Sequence, residues 1–163
     1  MYLRSGKLAV AAYRAAIFFV AISSALAQQH SAKSSLGDES IHKTDLLQPA
    51  ELVRMLHTAE KPLILQVGSQ VLYAEAHVPG SEYAGPAGTD AGLEELRNRL
   101  RGVSKDRLIV IYCGCCPWEK CPNIRPAFSE LRSLGFTNVK ALYLPENFGA
   151  DWVNKGYQVD SGR

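Results

Sequence analysis

A length of 163 residues allows one domain and a leader. With 47% hydrophobic and 21% charged residues, the composition is that of an ordinary globular chain. The net charge of +2 comes from 18 basic against 16 acidic side chains, which gives no basic footprint for nucleic acid or an anionic membrane.

The first 27 residues read as an export signal. Arg4, Lys7 and Arg14 form a basic region, Ala15 to Ile22 is apolar, and Ala25-Leu26-Ala27 has the small-x-small cleavage pattern. The apolar run is short of the roughly 20 residues a membrane span needs. Cleavage before Gln28 removes three of the 18 basic residues and no acidic one, leaving 15 against 16. The mature protein is expected to be periplasmic or secreted and off the membrane, in a compartment where unprotected thiols tend to pair. Residues 28–43 are polar and read as a flexible linker, and the folded domain is expected over residues 44–161.

Pro49 to Ala59 predicts a helix with Leu52, Met55, Leu56 and Ala59 on one face. Leu63 to Val67 predicts a buried strand. Ala91 to Arg101 predicts a helix through Leu93, Leu96 and Leu100, and Leu108 to Tyr112 a second buried strand. Asn123 is placed as the N-cap of a helix with the stripe Ile124, Ala127, Phe128, Leu131 and Leu134, ended by Gly135. Val139 to Leu144 predicts a third strand and Asn147 to Lys155 a closing helix stopped by Gly156. Strands alternating with helices predict an α/β domain with a mostly parallel central sheet. In such sheets sites form beyond the carboxyl ends of strands.

All four cysteines fall at one such end, in Cys113-Gly114-Cys115-Cys116-Pro117-Trp118-Glu119-Lys120-Cys121-Pro122-Asn123. Packed between a strand and a helix, they point to a reactive thiol site or a metal site rather than scattered staples. A helix N-terminus offers free N–H donors and a partial positive charge, both of which favour a thiolate. Cys113-Gly114-Cys115-Cys116 contains a C-x-x-C spacing, as in dithiol redox sites. Cys115, Cys116 and Cys121 are candidates for resolving thiols or for a disulfide, with Cys116 and Cys121 able to close a small loop made rigid by Pro117. A thiolate site for Zn²⁺ or Cu(I) is the third reading of the cluster. Adjacent cysteines seldom share one ion and no histidine lies in the segment, so no metal and no cofactor is expected. Lys120 could favour a thiolate, Glu119 would oppose it, and Trp118 either stacks over the loop or packs on the surface.

Four stretches carry a resemblance to the rhodanese-like family: Lys61 to Val67, Ala76-His77-Val78-Pro79-Gly80-Ser81, Arg107 to Cys113, and Leu134 to Val139 with Leu142, Phe148, Trp152, Gly156 and Tyr157 behind it. The resemblance covers roughly the whole mature domain and implies a single rhodanese-like domain. It implies that Cys113 is the nucleophile, taking sulfane sulfur from a small donor such as thiosulfate and passing it as a persulfide to a thiol or cyanide-type acceptor. It implies that His77 is structural. The sequence departs from the family pattern in the longer loop after Cys113 and in Gln66 and Gly68, which stand where the family has Asp and Arg. Asp and Arg at those two positions are expected to be compatible with the fold. Beside sulfur transfer stand thiol–disulfide exchange through the cluster and a non-catalytic or thiolate metal-binding module.

Overall fold

The computed structural model describes residues 40–162, and the expected leader and most of the expected linker lie outside them. Five strands form one sheet: β1 (Leu46–Leu47), β2 (Leu63–Gln66), β3 (Glu82–Tyr83), β4 (Ile109–Tyr112) and β5 (Val139–Leu142). Their order is β1-β5-β4-β2-β3, and every neighbouring pair is parallel. The helices are α1 (Pro49–Leu56), α2 (Gln70–Glu75), α3 (Asp90–Arg99), α4 (Ile124–Ser133) and α5 (Phe148–Asp151). Among the described residues no helix is long and apolar enough to cross a membrane.

The strands are apolar on both faces because both faces are covered. Leu65, Ile109 and Ile111 pack with Leu96, Phe128 and Leu131 from α3 and α4. The alternate residues Ile64, Val110 and Tyr112 pack with Leu52, Phe148 and Trp152 from α1 and α5. The two-residue period therefore decides which side each strand residue serves. It carries Cys113, the first residue past β4, to the α4 side.

β4 and β2 lie at the centre, paired from Leu63↔Ile109 to Gln66↔Tyr112. The chain leaves β2 for β3 on one side and returns past it to β4, so the strand order reverses between β2 and β4. Crevices open at such points beyond the carboxyl ends, and Gln66 and Cys113 border this one. The turn at Val78-Pro79-Gly80 is tied to the same strand end: the Val78 N–H donates to the Tyr112 hydroxyl at 3.1 Å.

The long predicted elements are present with shorter ends. α1 stops at Leu56 because His57 caps it, and the Thr58 hydroxyl takes the Met55 carbonyl at 2.8 Å. The expected closing helix is two pieces, since Trp152 (φ −123°, ψ −64°) breaks α5 from a 3-10 turn over Val153–Lys155. The break turns the Trp152 indole fully inward, where its N–H reaches the Gln158 carbonyl at 2.8 Å.

Candidate functional site

The β4–α4 loop is held from three directions. Gly114 takes a left-handed φ of +75°, and its carbonyl accepts the Phe148 N–H at 3.0 Å. A Cβ at Gly114 would stand 2.7 Å from the Phe148 Cβ, so a side chain is excluded there by space as well as by backbone angle. Further on, the Trp118 N–H reaches the Pro145 carbonyl at 3.0 Å, and its ring meets Tyr143 edge-on, centroids 5.3 Å apart.

Thus fixed, the loop folds its thiols together, and all four are free. Cys113 Sγ lies 3.0 Å from Cys115 Sγ, which lies 3.3 Å from Cys116 Sγ. Cys121 stands outside this close group of three sulfurs but near enough to Cys113 and Cys116 to interact with both electrostatically. Cys113 is buried, Cys116 and Cys121 are half-buried, and Cys115 is exposed.

Asn123 occupies the N-cap position of α4 but its side chain caps nothing. The expected cap is corrected: the amide is buried and turned to the sulfurs instead. Oδ1 accepts the Gly88 N–H at 2.8 Å, and Nδ2 donates to Cys113 Sγ at 3.3 Å, with Cys115 Sγ at 3.9 Å. The free N–H groups of the helix go to sulfur: those of Asn123 and Ile124 donate to Cys121.

These contacts divide the charge. Cys121 is held down to about 6 from the ordinary 9.0, first by the hydrogen bond from Cys113 and then, against its burial, by the two backbone donors. Cys113 is pushed up, first by giving its proton to Cys121 and then by burial. Burial, then a hydrogen bond with Cys115, pushes Cys116 up. The two shifts run in opposite directions and favour a negative charge on Cys121 over one on Cys113. Alkylation of Cys121 is expected to follow a midpoint near pH 6, read by peptide mapping after short iodoacetamide pulses. Cys113→Ala removes the leading cause and should move that midpoint up. A midpoint left unmoved would show that the backbone donors act alone.

Gln66 and Gly68 build the opposite wall. Gln66 Nε2 donates to the Cys113 carbonyl at 3.2 Å, while Oε1 accepts the Gly68 N–H at 3.1 Å. A Cβ on Gly68 would lie 2.7 Å from Cys113 Sγ and 3.2 Å from the Cys113 carbonyl oxygen. Asp and Arg here would have to displace what the native residues do: Asp has no donor for the Cys113 carbonyl, and a side chain at position 68 would have to shift the sulfur or the backbone.

A cleft of about 310 Å³ opens onto Cys113 and Cys115, with Gln66, Leu72, Phe148 and Val153 among its walls. Among the described residues, Glu75 is its only charged lining residue. Lys120 and Glu119 are exposed loop residues outside it, Pro117 is exposed, and Arg125 sits exposed within α4. His77 is structural: its ring stacks on Tyr73 with centroids 3.9 Å apart, and Nδ1 lies 2.7 Å from the Tyr73 carbonyl. The walls contributed by Leu72 and Val153 were not legible in the sequence, because α2 has no clear apolar stripe and Val153 follows the break at Trp152.

Cys113, Cys115 and Cys116 are the described residues able to offer three metal ligands, their sulfurs all within 4.8 Å of one another. Sulfurs around a shared tetrahedral ion stand about 3.8 Å apart for metal–sulfur bonds of about 2.3 Å. The observed 3.0 and 3.3 Å are tighter, a spacing that suits sulfur-to-sulfur chemistry better than an ion between them.

Residues 48–143 match the family model for the rhodanese-like domain. No curated protein matches the chain. Among solved structures it is similar to the Alr3790 protein from Anabaena sp. (24% identity, TM-score 0.54, covering 71% of this chain and 92% of that one). It is also similar to the BH2092 protein from Bacillus halodurans (21% identity, TM-score 0.55, covering 71% and 75%). A solution structure of the rhodanese-like domain of Alr3790 aligns at 22% identity with a TM-score of 0.53, covering 72% and 79%. At these identities the likeness speaks for the fold.

Proposed function

Because the chain belongs to the rhodanese-like domain family, we propose that it is an exported sulfurtransferase that carries sulfane sulfur as a persulfide on Cys113. One observation carries this reading: Cys113 directly follows the central strand, borders the cleft, and has the Asn123 Nδ2 donor on its sulfur at 3.3 Å. A sulfur donor enters the cleft. Cys113 Sγ attacks the sulfane sulfur, and its proton leaves with the donor's remaining part. The persulfide anion is held by Asn123 Nδ2 and by the Cys115 backbone N–H, the two donors already aimed at this sulfur. A thiol or cyanide-type acceptor then attacks the outer sulfur, and Cys113 regains a proton. The reaction calls for no cofactor.

Among the described residues Glu75 is the one charged group lining the cleft, and none of them brings a cation there to draw in a dianion such as thiosulfate. We therefore place low-charge organic persulfides ahead of thiosulfate as donors. Export rests on the Arg4 to Ala27 pattern, which lies outside the described residues.

The test is the intact mass of exported protein after a single turnover with each donor, for the parent and the four Cys→Ser variants. The mature chain should begin near Gln28 and, sampled at the earliest times, carry one added sulfur atom, and Cys113→Ser should lose that gain. If Cys113→Ser still gains sulfur while Cys121→Ser does not, the nucleophile is Cys121 at the head of α4. If no chain gains sulfur, dithiol exchange, which the close free thiols Cys113, Cys115 and Cys116 also suit, becomes the better reading.

A further inference from the structure

The transfer described above makes no use of the Cys115 thiol, yet Cys115 Sγ touches Cys113 Sγ at 3.0 Å. Side chains two residues apart in extended chain leave the backbone on the same face but well separated. Here the left-handed Gly114 between them folds the chain back so that the sulfurs meet. A separation of about 3–3.5 Å is that of reacting atoms in a near-attack arrangement. Asn123 Nδ2 sits against both sulfurs, at 3.3 and 3.9 Å, so one donor faces the negative charge on either side of a step between them.

We infer that Cys115 resolves the Cys113 persulfide, releasing the sulfane sulfur as hydrosulfide and leaving a Cys113–Cys115 disulfide; this rests on the persulfide reading above. The step balances: Cys113–S–S⁻ and Cys115–SH give Cys113–S–S–Cys115 and HS⁻. The bond between Cys113 Sγ and the sulfane sulfur breaks, and one between the two cysteine sulfurs forms. The sulfane sulfur is reduced by two electrons, two cysteine sulfurs share the oxidation, and the thiol proton leaves on the hydrosulfide. Turnover then needs a dithiol reductant, which opens the disulfide and is itself oxidised to one.

Position selects Cys115 over the other two thiols. It lines the same cleft as Cys113, whereas Cys116 and Cys121 do not. Cys121 is occupied by the Asn123 and Ile124 N–H groups, and Cys116 makes its close contact with Cys115 rather than Cys113. Cys115 is exposed at the cleft mouth, where a reductant can reach it, and exposed disulfides are the readily exchanged ones. Leu72 and Val153, each 40% exposed, line that same cleft and leave an apolar surface beside it.

Reduced, desalted protein is mixed with one equivalent of a small organic persulfide and no acceptor. The parent is expected to release about one hydrosulfide per chain, and peptide mapping should then find Cys113 joined to Cys115, reopened by dithiothreitol. Cys115→Ser and Cys115→Ala, changes at an exposed position, should keep the added sulfur on Cys113 and release hydrosulfide at least 10-fold more slowly. Release at the parental rate from both variants, or a disulfide that maps to Cys116 or Cys121, overturns the assignment of Cys115. If the parent and both variants never gain sulfur, the persulfide reading itself is wrong and this step falls with it.

Discussion

Gly68→Ala is expected to slow persulfide formation at Cys113 by about 10²-fold while the domain still folds. The new Cβ would stand 2.7 Å from Cys113 Sγ, with the Cys113 carbonyl oxygen and Gln66 Nε2 each at 3.2 Å. Something must shift, and the sulfur is a poor candidate because Asn123 and Cys115 already hold it. Either the nucleophile moves off its two donors or the Gly68 backbone moves off Gln66. A displacement of about 1 Å at a reacting atom is enough for the stated loss. Overpacking of this kind costs about 1–3 kcal/mol of stability. Gly68→Arg should be worse on both counts. Single-turnover mass spectrometry alongside thermal melts separates the two effects. Persulfide formation within twofold of the parent would show that the sulfur does not react from this position.

The largest loss of stability is expected from Gly92→Ala. In the first turn of α3 a Cβ at this position would lie 2.1 Å from the Pro86 carbonyl oxygen and 2.5 Å from its carbon. Both are backbone atoms, so no rotamer change relieves the contact. The substitution should cost at least about 3 kcal/mol and lower the melting temperature by about 10 °C. It should also reach the site, because the segment that must yield carries Gly88, whose N–H holds Asn123 Oδ1 at 2.8 Å. Loss of that anchor frees the amide aimed at Cys113. A melt within about 2 °C of the parent would show that the Pro86 segment gives way freely.

The three long strands and the three longer helices were legible because each writes its period in apolar residues, as in Leu63–Gln66 and in the Ile124, Ala127, Phe128 and Leu131 stripe. β1 and β3 were not, since two residues have no period to read. α2 was missed because Val71 and Leu72 are exposed and only Tyr73 is buried. At the site, the sequence put Cys113 at a strand end and kept His77 structural, and the structure agrees on both placements. What it misread were side-chain directions. Asn before a helix ordinarily turns its oxygen to that helix, and nothing local says that Gly88, distant in the chain, claims the oxygen first. Likewise Gln66 looks like a lost carboxylate until its amide is seen bridging the Cys113 carbonyl and Gly68.

With Asn123 turned away, the head of α4 is stoppered by a sulfur atom. The two exposed ends of its ladder, the Asn123 and Ile124 N–H groups, rest on Cys121. The thiol that most readily carries a negative charge is therefore also a structural bolt at the head of an amphipathic helix, the one carrying Phe128 and Leu131 into the core. Oxidising or alkylating Cys121 draws the bolt, so damage at the chemistry loosens the packing beneath it. Chemical wear and mechanical integrity are linked in this chain through one atom.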